Sequence, residues 1–394
     1  MDLALVNGRV MTESGLEDGL AVRLSGCRIA AVGPAATVAA DAPQRDLKGA
    51  ILLPGFIDVQ VNGGGGALFN GAPTSQTIAA IGQAHRLFGT TGFLPTLISD
   101  DLLAVADAIA ATRNAIAEGV LGVLGVHIEG PFLNPKRKGI HELSKLRRID
   151  EAAFDLLTSL ETGRTLLTLA PETTTPDMIR RLVDAGVVVS AGHSNATYAT
   201  VRSALDHGLS GFTHLFNAMS PLTSREPGVV GAALDDPASW CSVIVDGHHV
   251  DPVVLRIALR CKPHERFILV TDAMPSVGAD IRSFVLQGKV INVKDGICLD
   301  EHGTLAGSDL DMAGAVRNAM KLLGLSLAEA SRMASQNPAE FLRLGDEVGR
   351  IAPGYRADLV LVDDDIQVLD TWIGGQDTSA ATDGHTVEGR AGHG

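Results

Sequence analysis

The 394 residues carry 46 acidic against 32 basic side chains, a formal charge of −14. With no basic stripe, that balance excludes a general nucleic-acid or membrane-surface binder and requires any anionic substrate to meet a local cationic pocket. A hydrophobic share of 45%, aromatics at 4% and 44 glycines exclude fibrous and disordered classes and fit an α/β enzyme rich in tight turns.

Residues 1–53 read as short strands broken by Asn-Gly and Ser-Gly turn signals, and residues 346–373 have the same texture. The two chain ends are therefore expected to build one small β-sandwich domain. Between them, 54–345, apolar β-branched runs alternate with amphipathic stretches at 76–88, 101–118, 150–162, 176–185, 197–207, 252–261 and 311–323. Eight strands are predicted, at about 56–61, 92–98, 122–129, 165–170, 187–192, 211–216, 241–246 and 267–272. This alternation predicts an α/β fold of the (β/α)8 TIM-barrel type, with its active site at the strand C-termini. A doubly wound sheet is the competing architecture, but no G-x-G-x-x-G follows the first strand. A β excursion is expected over 282–306, and a flexible polar tail over 374–394.

Cys27, Cys241, Cys261 and Cys298 contain no CxxC pair, so neither a zinc knuckle nor a disulfide framework is indicated. The N-terminus lacks a signal-peptide pattern, and no stretch approaches the roughly 20 apolar residues of a membrane span. A soluble, cytoplasmic protein is expected.

Five apolar runs stop on polar groups, near Gln60 and on Glu129, His193, His214 and Asp272. In a barrel these positions converge on one rim. A carboxylate with two imidazoles leaves a fourth coordination position open for water, so Glu129, His193 and His214 are the expected ligands of one divalent ion. Zinc is expected first, while Fe2+, Co2+ and Mn2+ suit the same donors. Taken singly, each histidine is more readily a satisfied structural residue; the shared topology makes the case. Asp272 is placed to take a proton from water and return it to a leaving amine, the alternative being an N-cap. Gln60 and Asn62 offer only amides at the first strand, which argues against a second metal. His85 and His207 read as surface or packing residues, His264 as part of a polar connection, and His127 as a support on the Glu129 face of its strand.

At these residues the chain resembles the N-acetylglucosamine-6-phosphate deacetylases of the amidohydrolase superfamily. The resemblance rests on "PGFIDVQVNG" from Pro54, "HIEGPFLN" from His127, "KGIH" from Lys138, "AGHSNAT" from Ala191, "THLFNAM" from Thr213, "REPG" from Arg225, "DGHHV" from Asp246, "VTDAM" from Val270 and "AGSDLDM" from Ala306. It implies removal of acetate from N-acetyl-D-glucosamine 6-phosphate by a one-metal enzyme in amino-sugar catabolism, and a homodimer. It further implies that Gln60 contacts a metal-associated water and that His141 reaches the acetamido carbonyl or sugar ring. Arg225 and His249 would bind the sugar phosphate, with Asn217 and Ala218 near it; His248 competes with His249, and either basic group can come from a partner subunit. Superfamily members with two metals carry His-x-His where this chain has Gln60 and Asn62. The reading left open is another one-metal amidohydrolase acting on a related N-acyl amino sugar or N-acyl amino acid. A silent binding paralogue would lack a ligand or the base, and all four residues are present.

Overall fold

The computed structural model describes residues 2–378. Eight parallel strands form one sheet in sequence order: β1 (Phe56–Val61), β2 (Thr90–Ile98), β3 (Gly125–Glu129), β4 (Arg164–Leu169), β5 (Val188–Ala191), β6 (Gly211–Phe212), β7 (Trp240–Val243) and β8 (Phe267–Leu269). Every residue of β1, β2 and β3 is buried. Helices cover the outer faces, which is why these strands read as apolar runs rather than alternating patterns. The ring closes at its C-terminal rim, where the Asp272 N–H donates to the Gln60 carbonyl (3.0 Å) and Val61 bridges Ala273.

The covering helices start where side chains satisfy the first free amides. Thr74, Asp150, Thr175, Thr197, Asp251 and Asp311 each accept a backbone N–H two or three residues on, and Pro176 and Pro252 stand in the first turn. The helices Gly228–Asp235, Leu327–Ala334 and Gln336–Phe341 were not anticipated from the sequence. The first of these is so apolar along its length that no helical stripe stands out, and six of its residues are buried.

Several strands end earlier than their apolar runs do. The predicted strands at 211–216 and 267–272 stop at Phe212 and Leu269, because the chain turns there to deliver side chains inward. His193, His214 and Asp272 have φ of 47°, 36° and 54°, left-handed values that cost a non-glycine residue roughly 1–3 kcal/mol and concentrate at functional sites.

The chain ends pair as expected. Ile51–Pro54 runs antiparallel to Leu359–Val362 in a five-stranded sheet, and a four-stranded sheet from residues 2–46 packs against it around Leu5, Val22, Leu24, Leu52, Leu359 and Trp372. Residues 374–378 belong to this assembly: Gln376 N–H donates to Ile373 (3.1 Å) and Thr378 N–H to Asp370 (3.1 Å). The remainder of the expected tail, 379–394, lies outside the described residues.

After β8 the excursion forms an antiparallel sheet, β9 (Ser283–Leu286), β10 (Lys289–Lys294), β11 (Ile297–Leu299) and β12 (Leu305–Ser308). Leu286, Ile291, Cys298 and Ala306 pack it onto Ile98, Ile140 and Met274 at the barrel rim. Each fully buried large side chain there contributes roughly 1.5–3 kcal/mol.

Candidate metal centre and active site

Glu129, His193 and His214 converge at the rim, with their ligand atoms within 4.8 Å of one another. Glu129 Oε1 lies 3.1 Å from His193 Nε2 and 2.9 Å from His214 Nε2, and the two Nε2 atoms are 3.1 Å apart. Two ligand atoms about 2.0–2.1 Å from a tetrahedral ion stand roughly 3.4 Å apart, close to this spacing. The donor chemistry also fits. His193 Nδ1–H donates to the Arg137 carbonyl (2.9 Å), which leaves Nε2 with a free lone pair aimed at the centre. Such a triangle of lone pairs suits a dication.

Burial opposes ionisation of Glu129, but the close approach of the His193 and His214 rings outweighs it and holds the carboxyl well below its usual range. Asp272 differs. Burial first, then the nearby Glu129 charge, raises its pKa, the direction that strengthens a general base. One Asp272 oxygen accepts from Asn62 Nδ2 (2.6 Å) and Gln60 Nε2 (3.1 Å), and Gln60 Nε2 also donates to Glu129 Oε2 (3.1 Å). Gln60 thereby ties the Glu129 carboxylate to that of Asp272, and Asn62 fixes the orientation of Asp272. In the sequence Asn62 stands out only as a poor ligand, and no local pattern signals its hydrogen bond to Asp272.

These residues open onto a cavity of about 320 Å3 lined by Glu129, His193, His214, Asp272, His141, Asn217, Ala218 and His249. His141 is buried, its ring centroid 4.3 Å from that of His193. Burial, then the neighbouring His193, pushes its pKa well below 6.5, so the ring is neutral. Its Nδ1 lies 2.7 Å from the Ser99 hydroxyl and 3.2 Å from the Ser99 amide nitrogen. A backbone N–H only donates, so Nδ1 accepts and the ring proton sits on Nε2. His249, not the exposed His248, faces the cavity, its Nδ1 2.6 Å from Asp246. His127 is buried beneath the centre, Nε2 2.7 Å from the Thr168 hydroxyl, and burial lowers its pKa to about 4.

Arg225 is the expected site residue that the fold does not bring here. It is exposed on the 221–227 loop and does not line the cavity. The cationic wall is instead Lys136 and Arg137, of which Arg137 donates from Nε to Asn195 (3.0 Å). The sequence signal was the basic run Lys136-Arg137-Lys138 immediately before "GIH". Gln60 lines a small inner void below the centre rather than the open cavity.

Residues 51–387 match the Amidohydrolase family. The chain belongs to the amidohydrolase family. Among its relatives, this amidohydrolase is 46% identical over 372 residues to the N-acetylgalactosamine-6-phosphate deacetylase of Shewanella sp. (strain ANA-3), covering 93% of this chain and 94% of that one. It is 36% identical over 379 residues to the N-acetylglucosamine-6-phosphate deacetylase of Haemophilus influenzae, covering 95% and 99%. The crystal structure of N-acetylglucosamine-6-phosphate deacetylase from Pasteurella multocida superposes with a TM-score of 0.93 at 37% identity, covering 96% of this amidohydrolase and all of that chain. A mutant of the Mycobacterium smegmatis enzyme in complex with N-acetyl-D-glucosamine-6-phosphate superposes at 0.89 with 33% identity, covering 95% and 99%.

Proposed function

We propose that this amidohydrolase hydrolyses N-acetyl-D-glucosamine 6-phosphate to D-glucosamine 6-phosphate and acetate. The observation that carries this is one cavity joining Glu129, His193 and His214 to an oriented carboxylate, Asp272, and a neutral imidazole, His141. One divalent ion, zinc first, would be held by Glu129, His193 and His214. When bound, it would polarise the acetamido carbonyl and acidify water.

The chain's own groups supply the rest. Asp272, held by Asn62 and Gln60, takes a proton as water oxygen adds to the carbonyl carbon. It returns that proton to the nitrogen as the C–N bond breaks, so acetate and amine leave in balance. His141 Nε2–H stabilises negative charge on the carbonyl oxygen. Gln60 Nε2 is committed to two carboxylates, which leaves Oε1, buried without a protein partner, as its atom for contact with water.

The sugar phosphate is assigned to the side bounded by His249, Asn217 and Ala218, with Lys136 and Arg137 supplying positive charge within the chain. The exposed position of Arg225, on a loop that also carries Leu222 at 59% exposure, supports a homodimer in which each Arg225 loop reaches the neighbouring chain's cavity. No helix of the described residues is long and apolar enough to cross a membrane, and four unpaired cysteines suit a reducing cytoplasm.

The galacto epimer is a second reading, favoured by the 46% identical relative. Acetate release from the two N-acetylhexosamine 6-phosphates and from unphosphorylated N-acetylglucosamine tests both. A preference for the phosphorylated gluco sugar is expected. Equal kcat/KM with and without phosphate would refute the anionic subsite, and a preference for the galacto sugar would replace the first reading by the second.

A further inference from the structure

The β9–β12 sheet lies outside the barrel, yet its two ends touch the supports of the two reacting side chains. At one end, Ser308 of β12 donates its N–H to the Asp272 carbonyl (2.9 Å) and accepts from Met274 N–H (2.9 Å). At the other, the β9–β10 turn carries Gln287 against the loop that bears His141. Gln287 Nε2 donates to the Ser99 carbonyl (2.5 Å), and its Oε1 accepts from the Glu142 N–H (3.0 Å).

Ser99 supplies both donors that meet His141 Nδ1, and Glu142 is the next residue after His141. A single amide therefore grips both supports of the imidazole, across sequence separations of 188 and 145 residues. Gln287 does so from φ 49°, a left-handed conformation that persists only where the surroundings over-determine it. Leu286, its neighbour, is buried in the apolar cluster with Ile98 and Ile140, the residues immediately before Ser99 and His141. Packing and hydrogen bonding thus act at the same two points.

We propose that Gln287 is a positioning residue for His141, and that the β9–β12 sheet sets the imidazole's place relative to Asp272. Gln287 does not line the cavity, so it acts through Ser99 and Glu142 rather than on the substrate. The inference rests on the donor role of His141 given above.

The test uses the full-length, metal-loaded enzyme and two variants. Gln287→Asn tolerates the left-handed turn but is one methylene too short to span both contacts. Gln287→Glu keeps an acceptor for Glu142 N–H and loses the donor to Ser99. Both are expected to lower kcat about 10- to 100-fold, the scale of outer-shell losses, with KM within about twofold. In a His141→Asn background, Gln287→Asn should cost less than about twofold, because its only route to the reaction is already gone. A purely structural role would not produce that non-additivity. Unchanged kcat in both Gln287 variants, or the same fold-loss in the His141→Asn background, would overturn the inference while leaving the donor role intact. Undiminished kcat in His141→Asn alone would overturn the donor role, and the inference with it.

Discussion

His85→Gln should make the fold less sensitive to acid. In the native protein His85 Nε2 lies 2.9 Å from the Gly63 carbonyl, so that nitrogen carries the proton, and Nδ1 is buried without a partner. Burial lowers the pKa from 6.5 to about 4. The unfolded chain therefore binds a proton that the folded one refuses. Stability is full above pH 6.5, falls as the pH drops, and is fully lost to this group below about pH 4. The difference, 6.5 minus about 4, amounts to about 3 kcal/mol in total, of which about 2 kcal/mol is lost by pH 5. The effect reaches the active site because Gly63 follows Asn62: both backbone N–H groups donate to the Ala273 carbonyl (2.9 and 3.0 Å), and the Asn62 side chain orients Asp272. Urea unfolding followed by the fluorescence of Trp240 and Trp372, at pH 7 and pH 5, reads the difference. The wild type should lose about 2 kcal/mol more than the variant between these pH values, and equal losses would refute the argument.

Three further outcomes follow from geometry. Arg137→Met should raise KM for the phosphorylated sugar about tenfold and leave the unphosphorylated sugar unaffected, consistent with loss of one charged hydrogen-bonding partner; Arg225→Met should do the same only under conditions where sedimentation shows a dimer. An Arg225→Met effect of equal size in the monomer would contradict the exposed placement of that loop. Gly125→Ala should destabilise the barrel by about 3 kcal/mol or abolish soluble expression, since an added Cβ would stand 1.9 Å from the Arg164 carbonyl oxygen of the adjacent strand. A urea midpoint within error of the wild type would count against it.

The barrel and the Glu129, His193 and His214 cluster were legible because both are written locally. Glu129, His193 and His214 each close an apolar run, and β-strand topology brings such ends together whatever the intervening loops do. Strand ends were less legible: the left-handed turns at His214 and Asp272 have no signature in hydrophobicity, and the apolar runs continue past the ends of their strands at Phe212 and Leu269. Loop placement was harder still. Arg225 and Arg137 carry the same charge, and only the path of the chain puts one at the cavity wall and the other on the surface. Asn62 and Gln287 act through single hydrogen bonds to residues 210, 188 and 145 positions away, a relation that spacing cannot encode.

The central claim is that Asp272 moves the proton at a centre assembled by Glu129, His193 and His214. Acetate release by Asp272→Asn, with metal content determined on the same sample, tests it most directly. One ion per chain and a kcat reduced at least about 100-fold are expected, because asparagine keeps the shape and loses the base. Acetate release at the wild-type rate from a metal-loaded Asp272→Asn enzyme would contradict the account.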